Sequence, residues 1–191
     1  MQNNKQLSRE DVIKLSVSRS AENKISTAQK LSTLYNTPNI SLGERKLAED
    51  IFRIMVEDVE ISVRQILAEC LKKSRNIPSD IVNKLIHDEN SVSIPFIKYY
   101  EDLKDSDLIG ILNAQNIDKQ KAVAQRRNLS NDVSAYIVDK CSEDVVVTLI
   151  SNNSANIYEK TYQNILDKYS SSENVKRCLV YRSELPVTVI S

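Results

Sequence analysis

Few residues in this chain have the type and spacing to do chemistry. His87, the one histidine, sits in Leu85-Ile-His-Asp-Glu89, and a single imidazole cannot supply a two-histidine metal site. No nucleophile-elbow motif of the G-x-S-x-G kind accompanies it, so a nucleophile with its base is not indicated. A protonated His87 is expected near a helix C-terminus, favoured by the dipole and by Asp88 and Glu89. Cys70, Cys141 and Cys178 have neither C-x-x-C spacing nor an even count, so they read as reduced thiols. Glu57-Asp58 with Glu60, and Glu101-Asp102 with Asp105 and Asp107, offer carboxylate oxygens of the kind a hard cation takes. Neither group follows the alternating Asp/Asn pattern closed by Gly of a calcium loop, and solvated helix N-termini explain both better.

The arginines are more informative. Arg126 and Arg182 each stand three residues before a leucine, Leu129 and Leu185, and between them the matching place falls on Ser151, beside Asn152 and Asn153. Polar residues recurring in this way either line a binding groove or tie one helical hairpin to the next through hydrogen bonds to helix-end carbonyls, and the structural use is the expected one. Arg64 is expected to pair with the Glu57-Asp58 turn. Arg64, Arg126, Arg127, Asn152, Asn153 and Arg182 are therefore the candidate partner-binding residues. Tyr99-Tyr100 and Tyr158, Tyr162 and Tyr169 are expected in the core with polar tips reaching water.

Composition narrows the function classes. The 191 residues carry 26 Lys plus Arg against 26 Asp plus Glu, a formal charge of zero, so the general basic excess of a nucleic-acid binder is missing. A local stripe of Lys119, Lys121, Arg126, Arg127 and Lys140 remains. With Gly43 and Gly110 as the only glycines, no glycine-rich loop can cradle a nucleotide phosphate, and no cofactor is expected. The opening Met1-Gln-Asn-Asn-Lys-Gln lacks an apolar h-region, and Val145 to Ile150 falls far below the ~20 apolar residues of a membrane span. A cytoplasmic chain without membrane attachment is the expectation.

The elements that must position these residues are helices, because apolar residues recur at three and four positions and strand alternation is not sustained. The pattern predicts helices over Ser8 to Arg19 and Ala21 to Tyr35, then one opened by the capping box Ser41-Leu-Gly-Glu44 with a core stripe of Ala48, Ile51, Phe52, Met55 and Val59. Val63, Ile66, Leu67, Cys70 and Leu71 share one face of the next. From there five junctions recur at Ile77-Pro78, Leu103-Lys104, Leu129-Ser130, Ser154-Ala155 and Leu185-Pro186, at intervals of 26, 26, 25 and 31 residues. That period houses two short helices and a turn. Ile81, Val82, Leu85 and Ile86, or Tyr158, Tyr162, Ile165, Leu166 and Tyr169, supply the core stripes. A hairpin of this size cannot bury its apolar face alone, so stacking into an all-α solenoid is expected.

The run Val59-Glu-Ile-Ser-Val-Arg64-Gln-Ile-Leu-Ala68, then Ile77-Pro78, Ile94-Pro95, Asp105-Ser-Asp-Leu-Ile109, Ala122-Val-Ala-Gln-Arg126, Leu129-Ser130, Asn152-Asn-Ser-Ala155 and Arg182-Ser-Glu-Leu-Pro186 resembles the alphaproteobacterial HEAT-like repeat family called domain of unknown function 2336, from about residue 20 to the last. The resemblance implies a helical-repeat fold and a bacterial cytoplasmic setting, and it carries over no catalytic residue. The expected organisation is one body, with residues 1–58 as an N-terminal helical segment packed on an array of hairpins over 59–191. Val175, Leu179 and Val180 should face inward in the last complete helix. Leu185-Pro186 followed by Val187, Val189 and Ile190 should open a further helix that the sequence cuts short. An N-terminal fragment of a longer protein is thus expected, its edge frayed or covered by a second copy in a homodimer. The function expected is a non-catalytic scaffold holding a protein partner, and the alternative is a nucleic-acid binder using the local basic stripe.

Overall fold

The structure, a computed structural model, describes residues 20–183 together with 185 and 186. The helix expected over Ser8 to Arg19 and the tail residues Val187, Val189 and Ile190 lie outside the described residues. Every regular element among the described residues is an α-helix. The chain divides into two compact units, Met1–Asp102 and Leu103–Ser191. The boundary expected at residues 58 and 59 falls within the first of them.

In the first unit the helices are α1 (Ala21–Tyr35), α2 (Leu42–Met55), α3 (Ile61–Leu71), α4 (Ser79–His87) and α5 (Asn90–Tyr99). α1 covers the predicted span. The capping box at α2 forms as the sequence requires: the Glu44 amide donates to Ser41 Oγ at 3.2 Å, and the Ser41 amide donates to the Glu44 carboxylate at 3.1 Å. Two orphan helix-start groups are satisfied at once. The Ser41 hydroxyl and amide hold the Glu44 carboxyl below its ordinary range. α1 packs on α2 and α3, α3 on α2 and α5, and α4 on α5. Between them are buried Leu31, Tyr35, Phe52, Leu67, Leu71, Leu85 and Phe96, each worth about 1.5–3 kcal/mol of removal from water. Tyr35 meets Phe52 edge-on at 5.5 Å, and Phe96 stacks on Tyr100 at 4.7 Å. Val59 departs from the expected stripe and is 88% exposed. The helix has already ended at Met55, so the turn through Val56 takes the chain out of phase, and Val56 fills the buried place. Ile66 and Cys70 are half-buried, while Ala68 takes a core position.

The second unit holds α6 (Asp105–Asn113), α7 (Ile117–Ala124), α8 (Asn131–Lys140), α9 (Glu143–Ile150), α10 (Glu159–Lys168) and α11 (Glu173–Tyr181). Consecutive helices pair as α6 with α7 and α8 with α9. α8 also contacts α6 and α10, while α9 contacts α7 and α11. Two layers result, α6-α8-α10 and α7-α9-α11, as expected for stacked hairpins. The junctions are more regular than the sequence suggested. The buried residue at the fourth is Ala155 and not the exposed Ser154, so Ile77, Leu103, Leu129 and Ala155 follow one another at 26 residues each. Asn76 and Asn128, each just before a junction residue, adopt positive φ of 56° and 51°. Asparagine tolerates that region better than other non-glycine residues, so these turns close in a chain with only two glycines.

Candidate functional site

The 26-residue register sorts the six candidate residues. Asn152, not Ser151, lies one period after Arg126, and Arg182 follows it at the same place in the next hairpin. The Asn152 amide donates to the carbonyls of Ala124 at 2.9 Å and Arg126 at 2.7 Å. Arg182 repeats the contact one hairpin later: Nη1 donates to Ile150 O at 2.8 Å and Asn152 O at 2.9 Å, and Nη2 donates to Ala155 O at 2.7 Å. Ala124 and Ile150 are the last residues of α7 and α9, where carbonyls lack intrahelical partners. One side chain per hairpin therefore reaches back and satisfies the helix end before it. Sequence reasoning missed the Ser151-to-Asn152 correction because it counted from Ser154. An unbroken count of 26 from Arg126 finds Asn152.

The Asn152 Oδ1 also accepts from the Ser154 amide at 3.2 Å and hydroxyl at 2.8 Å, closing the turn that follows. The Arg182 guanidinium lies 5.8 Å from the centre of the Tyr162 ring. Its Nε is buried without a hydrogen-bond partner among the described residues, which the aromatic face partly compensates. Arg126 is buried. Beside this row runs a second one: Arg127, Asn153 and Ser183 occupy the next position in each hairpin and are all exposed. The Ser183 amide donates to Asn153 Oδ1 at 3.4 Å. An open pocket of about 570 Å³ lies here, lined by Asn153, Asn156, Tyr158, Glu159, Tyr162 and Arg182 among others.

Arg64 belongs to the first unit and does something else. It grips the Asp88 carboxylate with Nε at 2.7 Å and Nη2 at 2.9 Å, and donates through Nη1 to the backbone carbonyl of Asp58 at 2.6 Å. The contact expected with the Glu57-Asp58 turn is therefore made to its backbone, not as a salt bridge to its carboxylates, which pair with lysines: Lys24 meets Asp58 at 2.6 Å and Lys84 meets Glu57 at 2.7 Å. Burial works to raise the Asp58 carboxyl, but the Lys24 hydrogen bond, the Glu60 amide and the charges of Lys24 and Arg64 outweigh it and hold the group below its ordinary range.

The other chemistry-bearing residues are engaged in local structure. His87 is exposed, its Nδ1 2.8 Å from the carbonyl of Asn83 one turn back. Asp102 binds Arg75 at 3.1 Å and accepts from the Asn76 amide at 2.9 Å, Asp105 accepts from the Ser130 hydroxyl at 2.7 Å, and Asp107 accepts from the Lys104 amide at 2.9 Å. Among the described residues no three His, Cys, Asp or Glu side chains converge as a metal site. In the basic stripe, Lys119 and Arg126 are buried, Lys121 sits 3.4 Å from Asp144 and Lys140 3.0 Å from Asp139. Burial pushes the Cys70 and Cys141 thiols above their ordinary range, and all three cysteines are free. Tyr100 and Tyr162 are core residues, while Tyr99 and Tyr158 are exposed. No helix among the described residues is long and apolar enough to cross a membrane.

No curated protein and no solved structure matches this chain. A family match spans residues 92–191, a shorter stretch than the resemblance from about residue 20, and it takes in α6 to α11 with both carbonyl-binding side chains. The chain belongs to the family described as an uncharacterised protein conserved in bacteria (DUF2336).

Proposed function

We propose that this protein is a non-catalytic, HEAT-like scaffold of the bacterial cytoplasm that holds a protein partner on the exposed row beside its hairpin staples. The observation that carries this reading is the pairing of two rows one residue apart. Asn152 and Arg182 spend their donors on helix-end carbonyls, whereas Arg127, Asn153 and Ser183 are presented to solvent one per hairpin. A periodic row of polar groups on a rigid stack suits an extended partner, which repeat proteins engage by many small contacts rather than one deep cavity. The nucleic-acid alternative is less favoured, because four members of its basic stripe are buried or ion-paired and phosphate binding needs open cations.

Affinity capture from a native bacterial extract, followed by titration of the recovered protein against purified scaffold, tests the proposal. A stoichiometric partner should bind, and the double variant Arg127→Glu, Asn153→Ala should weaken it by about tenfold, or 1.4 kcal/mol, with unchanged melting. Equal affinity of the variant, or retention of labelled duplex DNA at low salt in place of a protein, would overturn it.

A further inference from the structure

One junction of the repeat is longer than the others. After Ile77, Leu103 and Leu129 the next helix begins two residues on, at Ser79, Asp105 and Asn131, whereas after Ala155 it begins four residues on, at Glu159. The added length is folded back on the preceding junction: the Asn156 backbone and side-chain amides both donate to the Leu129 carbonyl, at 2.9 and 3.0 Å. The open pocket of about 570 Å³ lies here, with Asn131, Asn153, Asn156 and Tyr158 in its lining. A departure from a regular repeat that is itself fixed by hydrogen bonds, and that opens a polar pocket, marks a candidate binding site. The amides of that lining are largely unspent. Asn131 makes no side-chain hydrogen bond among the described residues, and Asn153 uses only its oxygen, 3.4 Å from the Ser183 amide. An anion does not suit the pocket: Glu159 and Arg182 bring one charge of each sign, and the Arg182 Nη1 and Nη2 already donate to three carbonyls, whereas phosphate binding needs open cations.

We infer that this pocket takes an extended, uncharged stretch of polypeptide main chain from the partner, read by the side-chain amides of Asn131, Asn153 and Asn156. The inference rests on the scaffold reading above and names the chemistry by which the partner is held. A side-chain amide offers a donor and an acceptor at one place, which is what an extended main chain presents at each residue. Tyr158, 42% exposed, adds an aromatic surface for one side chain of the segment. A sugar offers comparable hydroxyl groups, but Asn153 belongs both to the pocket and to the exposed row of Arg127, Asn153 and Ser183. A polypeptide can continue from one onto the other.

Selection of a displayed library of random linear peptides on the 191-residue chain tests this, with the enriched peptide then synthesised and titrated. Asn131→Ala, which removes no bond within the protein, should weaken that peptide by about tenfold with unchanged melting. N-methylation of the peptide main chain at one position should weaken it as much, while exchange of the side chain there costs less. A library that yields no binder would overturn the inference, as would a peptide indifferent to both Asn131→Ala and N-methylation, or retention of neutral oligosaccharides in place of peptides. A protein partner captured from extract that Arg127→Glu weakens and Asn131→Ala does not would overturn the main-chain pocket while leaving the scaffold reading in place.

Discussion

The two units solve the same problem, holding one hairpin to the next, with different chemistry. In the first, five of the long-range ties run from side chain to side chain between opposite charges: Lys24 to Asp58, Arg64 to Asp88, Arg53 to Asp80, Lys84 to Glu57 and Arg75 to Asp102. In the second, a recurring set of ties runs from side chain to backbone: Asn152, Asn156, Lys168 and Arg182 all donate to carbonyls 26 to 32 residues earlier. A carbonyl acceptor exists at every helix end, whatever the sequence, so a donor can recur each period without a co-evolved partner. An ion pair needs two particular residues and cannot be copied along a stack by placing one. The backbone-directed unit lies wholly within the family match.

The largest effect should come from the tie that is most enclosed and most specific. Arg64→Ala removes both prongs of the grip on Asp88, whose side chain is 10% exposed, and strands a carboxylate in a poorly hydrated place. A loss of about 3 kcal/mol is expected, as for a broken buried pair. Hydrogen exchange should localise it to α3 and α4, with α8 to α11 unaffected. A loss under about 1 kcal/mol would class the pair with ordinary surface bridges and erase the contrast between the units.

A smaller effect is expected for Asn152→Ala, at about 2 kcal/mol, because two carbonyls lose an uncharged donor and water can partly replace it. Faster exchange should appear at the C-terminal end of α7 and in the turn Asn152 to Ala155. If Asn152→Asp were tolerated as well as wild type, donation to the Ala124 and Arg126 carbonyls would not be what holds the turn.

The same contrast explains what could be seen in advance. Helix positions follow from local signals: the span Ala21 to Tyr35 and the Ser41 capping box needed only neighbours within four residues. The hairpin period was legible because junctions recur, but a phase error of one residue at Ser154 hid Asn152, which has no apolar signature of its own. The true partner of Arg64 was illegible for a different reason. Asp88 is 24 residues away, and several nearer carboxylates compete on paper; only packing shows that Lys24 and Lys84 have taken them. Val59 was misplaced because a stripe was extended past the end of its helix at Met55, and Val180, expected on the inner face of α11, is 78% exposed, while Val175 and Leu179 fill that face.

The smallest effect tests whether the charge-to-charge design leaves the first unit sensitive to acid. Asp80 is held below its ordinary range first by the hydrogen bond from Arg53 at 2.6 Å, with burial opposing and the Arg53 charge assisting. Asp58 is depressed as well, against its own burial, by Lys24, the Glu60 amide and Arg64. A carboxyl with a lowered folded value binds its proton more readily when unfolded, so its contribution is complete above about pH 4 and fades as pH falls through the folded value. Acid should therefore loosen α2 to α4 through the loss of these pairs, whereas the carbonyl ties of Asn152 and Arg182 contain no group that titrates there. Because the Arg53–Asp80 pair is more than a third exposed on both sides, its share should stay below about 1 kcal/mol. Exchange rates in α2 to α4 compared between about pH 5 and pH 3 should rise more than those in α8 to α11, and Asp80→Asn should flatten that rise slightly while Asp58→Asn flattens it more. An equal acid response in both units would show that the two ways of tying hairpins together do not differ in what they make the protein sensitive to.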